Sequence, residues 1–387
     1  MKKLDEENRA AELLQECLTR LSDRPLSDVT DRFERTPRSQ RDAVQRALEG
    51  AQALSQGVPA GLVAQSVLNR VVESLKKRAE LQERLPALRE ALAPLRPHEG
   101  FAHPSGEDVL AAICGHLGLS VEEVANGRPV GKRTTASTLP PLPIAAGERA
   151  TERYWGSSAP VDPVVIAEQL GILVVDVPCE DLEACIVLGA DCSVLAVSTR
   201  LEDEPRRRFA IAHEIGHYVL HRNHACVFSD AFVEAAGREE RDKEASAFAA
   251  ALLMPEALLR REGPLSWPSM RRAEELAAEF RVSLTGAALR LVNRCDFPSM
   301  LIAFWQGKAE WTVRSEYFPV TFRSGRTPPD DSETARVMDG EPPVPDYGEI
   351  HASEWFPKVQ KVENGRIQEH AREVHPGFVL TILNMVG

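Results

Sequence analysis

Residues 203–224, DEPRRRFAIAHEIGHYVLHRNH, decide how the rest of the chain reads. Asp203, Glu204 and Pro205 make an acidic start with proline in the first turn, and Phe209, Ile211, Ala212, Ile215, Val219 and Leu220 then recur at helical spacing. The pattern predicts a helix with one buried face. Within it His213, Glu214 and His217 form an H-E-x-x-H pattern. Side chains four apart on a helix stand one above the other, so both imidazoles can reach one metal ion. Glu214, beside the first, lies where it can take a proton from water. A catalytic zinc centre uses three protein ligands and keeps one position open, so a third ligand must come from elsewhere.

Three sources for that ligand compete. His221 continues the series, but in a regular helix it sits about 6 Å along the axis from His217, too far to share the ion. His224 would serve only with a glycine turn and a histidine six residues after His217, and positions 220 and 223 are Leu and Asn. Further on, ERDKEASAFAAALLMP (240–255) offers Glu244, followed by Ala245, Phe248, Ala249, Leu252 and Leu253 on an apolar face. Small alanines there would let this helix approach the histidine helix closely. Glu239 and Glu240 are the local rivals.

Outward from this core, 387 residues allow two or three domains at about 100–200 residues each. The expected class is α+β. Residues 1–130 read as a helical domain, with amphipathic repeats at Leu13–Leu21 and Val67–Leu75 and a short helix from Gly106 to Val124. Residues 131–151, rich in Gly, Pro, Thr and Ala, read as a linker. In 152–296 a helix at Asp162–Leu170 precedes three short strands, ILVVDVP, CIVLGA and SVLAVST, then the histidine helix, then helices at Arg238–Leu259 and Met270–Leu291. In 297–387, LIAFW and AEWTV alternate around a turn, a proline-rich loop spans 328–345, and FVLTILNMV closes an α+β module.

Composition narrows the class further. No apolar run approaches the roughly 18 residues of a membrane span, and the start turns acidic where a signal peptide would stay apolar. Seven cysteines without a CxxC pair suit free thiols in a reducing cytoplasm. A net charge of -12 argues against nucleic-acid binding by the whole surface and leaves room for a local patch, such as Arg24, Arg32, Arg35, Arg38 and Arg41.

HEIGHYVLH, then KEASAFAAALLMP with Glu244 27 positions after His217, resembles the ImmA/IrrE family of zinc metallopeptidases. So do VDPVVIAEQLGILVVDVP, SVLAVSTRLEDEPRRRFAIAHE and Leu276–Ser283, so that the likeness covers about 150–295. The resemblance implies a zincin-like domain holding one Zn2+ per chain. It makes His213, His217 and Glu244 the ligands and Glu214 the general base. An oxyanion donor is then expected among Tyr154, Tyr218, His221 and Arg208, although Tyr218 also reads as a packing residue and His221 as a group that orients a ligand. It further implies a cytoplasmic endopeptidase that cuts a helix-turn-helix repressor in response to a stress, DNA-damage or phage-related signal.

GEDVLAAICGHLGLSVEEVANG resembles the last helix-turn segment of Xre-type repressors, and the C-terminal module resembles the sensory extensions of the family. A nucleic-acid or small-molecule signal is therefore expected at either end, with no membrane contact. Cys114 could act as an inhibitory thiolate on the zinc, with Cys226 a second candidate; equally, Cys114 continues the core stripe of Leu110, Ile113 and Leu117. The competing reading is a DNA-binding regulator, or a protein that sequesters a repressor, in which the zinc module is not catalytic.

Overall fold

The computed structural model describes residues 81, 83–93, 104–120, 142–156, 158–189, 192–221, 227–229, 238–261, 265, 267–357 and 365–386. The amphipathic repeats before residue 80, the arginine set, the Xre-like segment past Ser120, the linker up to residue 141, His224 and Cys226 lie outside them. The contacts divide the chain into two units. One runs to Leu253 without 204–206, and the other takes Glu204–Arg206 and Met254–Gly387.

In the first unit, α1 (Gly106–Leu117) begins at a capping box in which Ser105 and Asp108 satisfy each other's backbone N–H groups. The Gly106 N–H donates to Asp181 at 2.8 Å, tying that start to the loop beyond β1 (Ile172–Val177). Helices α2 (Pro143–Tyr154) and α3 (Pro163–Leu170) follow, the latter capped by Asp162 and ended by left-handed Gly171, which turns the chain straight into β1. With β2 (Ala184–Leu188), β3 (Ser193–Ser198) and β4 (Val227–Ser229) it forms a sheet of order β1-β3-β2-β4. β1 lies parallel to β3, and β2 antiparallel to both of its neighbours. The register sets Leu173 opposite Val194 and Cys185 opposite Ala196. These residues share a face with Val175 and Val187, against Val109, Ile113 and Cys114 of α1 and Leu88 of a helical stretch over 83–92. On the other face Ile172, Ile186 and Leu195 are buried too. A sheet covered on both sides explains the nearly unbroken apolar strands.

The expected linker is helical from Pro143 onward, and the reason lies far along the chain. A Cβ on Gly147 would stand 2.5 Å from the carbonyl oxygen of Phe248 and 3.1 Å from the Cβ of Ala251. Those residues belong to α5 (Arg238–Leu253), and Thr151 Oγ1 donates to the Leu252 carbonyl at 2.8 Å. The small residues that look like linker composition are what let α2 and α5 touch backbone to backbone. α4 (Glu204–His221) precedes α5. The expected helix over Arg238–Leu259 breaks after α5 because Met254 stands before Pro255, where helical backbone is disfavoured; α6 (Glu256–Leu259) restarts it.

In the second unit the expected helix over Met270–Leu291 is two: α7 (Met270–Phe280) ends at Arg281, left-handed with φ 51, and Ser283 caps α8 (Leu284–Arg294). An antiparallel sheet of order β6-β5-β9-β8-β7 follows, from β5 (Ser299–Trp305), β6 (Lys308–Arg314), β7 (Gly348–His351), β8 (Arg366–His375) and β9 (Phe378–Val386). Gln306 and Gly307 both have positive φ, 47 and 79, as a two-residue hairpin turn requires. A short helix, α9 (Glu333–Met338), interrupts the expected proline-rich loop, and α10 (Ala352–Trp355) follows β7. Asn384 of β9 donates to the Pro268 carbonyl at 2.7 Å, and Arg372 of β8 pairs with Glu274 of α7 at 2.6 Å. By contacts, then, α7 and α8 go with the C-terminal sheet and the division falls at 253/254, where the expected domain boundary stood at 296/297. Among the described residues no helix is long and apolar enough to cross a membrane.

Glu369 of β8 is 1% exposed, accepting from the Trp355 indole N–H and, at 3.4 Å, from the Thr334 backbone N–H. Burial pushes its carboxyl up to about 7, against the pull of those hydrogen bonds. A carboxyl raised in the folded state gives stability that is complete below its unfolded value and is lost as pH rises through about 7. The unfolding free energy from denaturant titrations should therefore fall between pH 5 and 8 by on the order of 3 kcal/mol at most, and Glu369→Gln should flatten that slope. At α2, Gly147→Ala should cost about 1–3 kcal/mol by the same measurement, because a backbone must move to admit the methyl group.

Candidate metal centre

α4 is buried along Arg208, Ile211, Ala212, Glu214, Ile215, Gly216, His217 and His221. The expected apolar face is thus narrower than Phe209–Leu220: Phe209 is 40% exposed, and Val219 and Leu220 are only half-buried. Arg208 donates its guanidinium to the Val161 carbonyl, and Arg207 pairs with Asp176. Gly216 marks the crossing with α5. A Cβ there would lie 3.0 Å from the Cα of Ala245, 3.1 Å from its carbonyl oxygen and 3.2 Å from the Phe248 ring. The two helices therefore meet at backbone distance, and a side chain at Gly216 would have to push Ala245 or Phe248 aside.

That contact sets which α5 side chains reach the histidines. The Nε2 atoms of His213 and His217 lie 3.0 Å apart, and an Asp242 carboxylate oxygen is 3.4 Å from the latter. One ligand atom from each of His213, His217 and Asp242 falls within 4.8 Å of the others, with His217 buried and the remaining two half-buried. Two ligand atoms around a tetrahedral ion with bonds of about 2.0–2.1 Å stand roughly 3.3–3.4 Å apart, so the spacing suits a metal. The donor chemistry agrees. Each Nδ1 meets a partner, His213 at Ser246 Oγ (3.3 Å) and His217 at His221 Nδ1 (3.0 Å). A hydrogen bond at Nδ1 holds the proton there and leaves the Nε2 lone pair for a metal.

Glu244, expected as the third ligand, does not join this group. Its carboxylate meets His221 Nε2 at 2.8 Å instead. Residues two apart on a helix point to different sides, and here Asp242 meets His217 while Glu244 meets His221. Asp242 precedes Ala245 by three positions and shares its face, and Ala245 is what Gly216 touches. The alanine stripe already in the sequence carried that phase. Ser246 was overlooked for the same reason.

The other expected site residues are placed as follows. Glu214 is 6% exposed, next to His213 in the helix. The Tyr218 hydroxyl donates to the Leu170 carbonyl at 3.3 Å, a packing role, and Arg208 is committed to Val161. Tyr154 ends α2 with the Arg153 guanidinium 5.2 Å above its ring. Cys114 is fully buried in the apolar cluster beside Cys185 and Val187, as a core thiol, and is not in the converging group. Burial pushes the Cys179 thiol up to about 11, with its hydrogen bond to Asp181 acting in the same direction, and burial raises Cys185 further.

Two imidazoles and a carboxylate thus converge, beside a buried glutamate, as a group with the spacing to hold a metal ion. Residues 167–292 match the family model of the IrrE N-terminal-like domain, a peptidase family. The match takes in α4 and α5 entire. A solved structure of a Mycobacterium tuberculosis transcriptional regulator is similar at 14% identity, covering 63% of this chain and 88% of that one, with a TM-score of 0.41. No curated protein matches.

Because the ligand set depends on the helix crossing, Gly216→Val should act on stability and metal together. The unfolding free energy should fall by about 1–3 kcal/mol, and zinc affinity, measured by competition with a chromophoric chelator, should fall with it.

Proposed function

We propose that this chain is a regulatory zinc endopeptidase whose substrate is a helix-turn-helix repressor. The observation that carries the reading is the convergence of His213, His217 and Asp242 beside the buried Glu214. The match of residues 167–292 to the IrrE N-terminal-like family model supports peptide-bond chemistry there. The five described cysteines, all free and buried, suit a reducing cytoplasm.

In this reading His213, His217 and Asp242 hold the ion, one per chain. Zinc so held supplies a Lewis acid that polarises a peptide carbonyl and lowers the pKa of water at its open position to about 7. Glu214 takes the proton from the attacking water at its carboxylate and passes it to the leaving amine nitrogen. Its burial, at 6% exposure, limits the access of bulk water to that proton. His213 and Asp242, half-buried, mark the side from which a substrate strand enters. The segments at either end, 1–130 and the C-terminal sheet module, receive the stress, DNA-damage or phage-related signal, as a nucleic acid or small molecule.

The test is to incubate the full chain with the helix-turn-helix protein encoded beside it and read that partner by intact mass. Wild type should give two fragments. Glu214→Gln should keep its zinc and lose cleavage by about 10²–10⁴-fold. An uncut partner that co-purifies with the chain would instead favour sequestration, and regulation that survives Glu214→Gln would favour a non-catalytic module.

A further inference from the structure

Phe209 of α4 carries an apolar ring that neither the core nor the proposed chemistry accounts for. The sequence pattern counts it with the buried face, yet it is 40% exposed while Ile211, Ala212 and Ile215 are buried. One exposed phenylalanine is ordinary by itself. Its position is what gives it a consequence. Four residues before His213, it stands on the imidazole side of the helix, and helical side chains lean toward the N-terminus, so the His213 ring leans over the turn that Phe209 occupies. The two ring centroids lie 6.3 Å apart, inclined at 40°. Exposure also rises in that direction along the same side: His221 and His217 are buried, His213 is half-buried and Phe209 is open. A peptide reaching His213 from the open end of this row meets a phenyl ring.

We propose that Phe209 is a specificity residue, its ring forming the wall of a subsite that takes an apolar side chain from a residue flanking the cut bond. The proposal rests on the reading of His213 and His217 as metal ligands and draws on neither acid of α5. Consecutive Cα atoms of a peptide are about 3.8 Å apart, so a carbonyl held at the imidazoles brings the side chains on both sides of its bond close to them. A ring packed beside a ligand imidazole is within reach of one of these. The ring offers no hydrogen bond. An aliphatic chain laid on it releases water from both surfaces, whereas a charged chain there would lose hydration without gaining a partner. The neighbouring charge does not supply one, because the Arg208 guanidinium donates to the Val161 carbonyl. Such a contact discriminates between peptides without touching the reacting atoms, which suits a single cut in one partner.

Hydroxamates test the subsite by binding alone, without turnover. N-acetyl-leucine hydroxamate carries an isobutyl group on the acyl side of the bond, and 2-isobutylsuccinyl hydroxamate carries one on the amine side. Each is compared by calorimetry with its unsubstituted parent on the zinc-loaded full chain. One isobutyl probe should bind about 10-fold more tightly than its parent, and which one does so tells the side of the bond that Phe209 serves. Phe209→Ala should reduce that preference to about 2-fold or less, and Phe209→Leu should keep most of it. Binding of the parent compounds, zinc affinity by chelator competition and the unfolding midpoint should stay near wild type in both variants. No preference for either isobutyl group in the wild type overturns the proposal, as does a preference that survives Phe209→Ala. So does a loss of zinc affinity in Phe209→Ala that weakens all four hydroxamates alike, which would make the ring a support for His213 and no subsite. If His213→Ala binds zinc as wild type does, it is the metal reading that fails, and the subsite with it.

Discussion

The backbone contact between α4 and α5 at Gly216 is the constraint on which the candidate centre depends. Ligands drawn from two helices converge only if the helix axes are close, and ordinary side chains hold axes about 8–10 Å apart. Here Gly216 and Ala245 remove the side chains at the crossing. Asp242 and Ser246, one turn apart beside that face, then reach the histidines with short side chains. α5 is held from a second direction as well, where Gly147 of α2 touches the Phe248 carbonyl and Thr151 bonds the Leu252 carbonyl. A helix clasped on two sides has little freedom to rotate, which keeps its carboxylates in phase with α4. The alanine richness of α5 follows from this double contact.

The second unit solves a different problem. Its central strand, β9, pairs on both edges and is apolar almost throughout, while β8 alternates Ile367, Glu369 and Ala371 inward with polar residues outward. Glu369, 1% exposed, is a buried acid in this interior. The Trp355 indole and Thr334, which also contacts Thr381 at 3.0 Å, give it a polar nest inside the core. A carboxyl raised to about 7 in such a place is half-charged near neutral pH, so the stability of this unit is tied to proton concentration.

What could be read from the sequence was what is settled locally. The H-E-x-x-H helix, the three apolar strands, the hairpin of β5 and β6 and the closing strand each carry their own periodicity or turn chemistry. Elements fixed by distant partners were hidden. α2 looked like a linker because its glycine and alanines answer to Phe248 and Ala251, about a hundred positions on. β8, with charged residues on its exposed face and a glutamate inside, had too few apolar residues to announce a strand. In the site, spacing alone put His213, Glu214 and His217 on one helix and an acid-bearing helix after it, without saying which side of that second helix faces the imidazoles.

The two carboxylates of α5 differ in reach as well as direction, and both differences suit where they are found. Asp242 stands on the face in backbone contact with α4, where the gap to His217 is small; there the shorter side chain brings an oxygen to 3.4 Å. A glutamate at the same position would have an extra methylene to fold away at a crossing with no spare room. Glu244 points off that face, toward the end of α4, and has a longer span to cover before it meets His221 at 2.8 Å. The lengths are matched to the gap each must close. One helix thus brings a short acid to His217 and a longer acid to His221, with Ala245 at the close approach to Gly216.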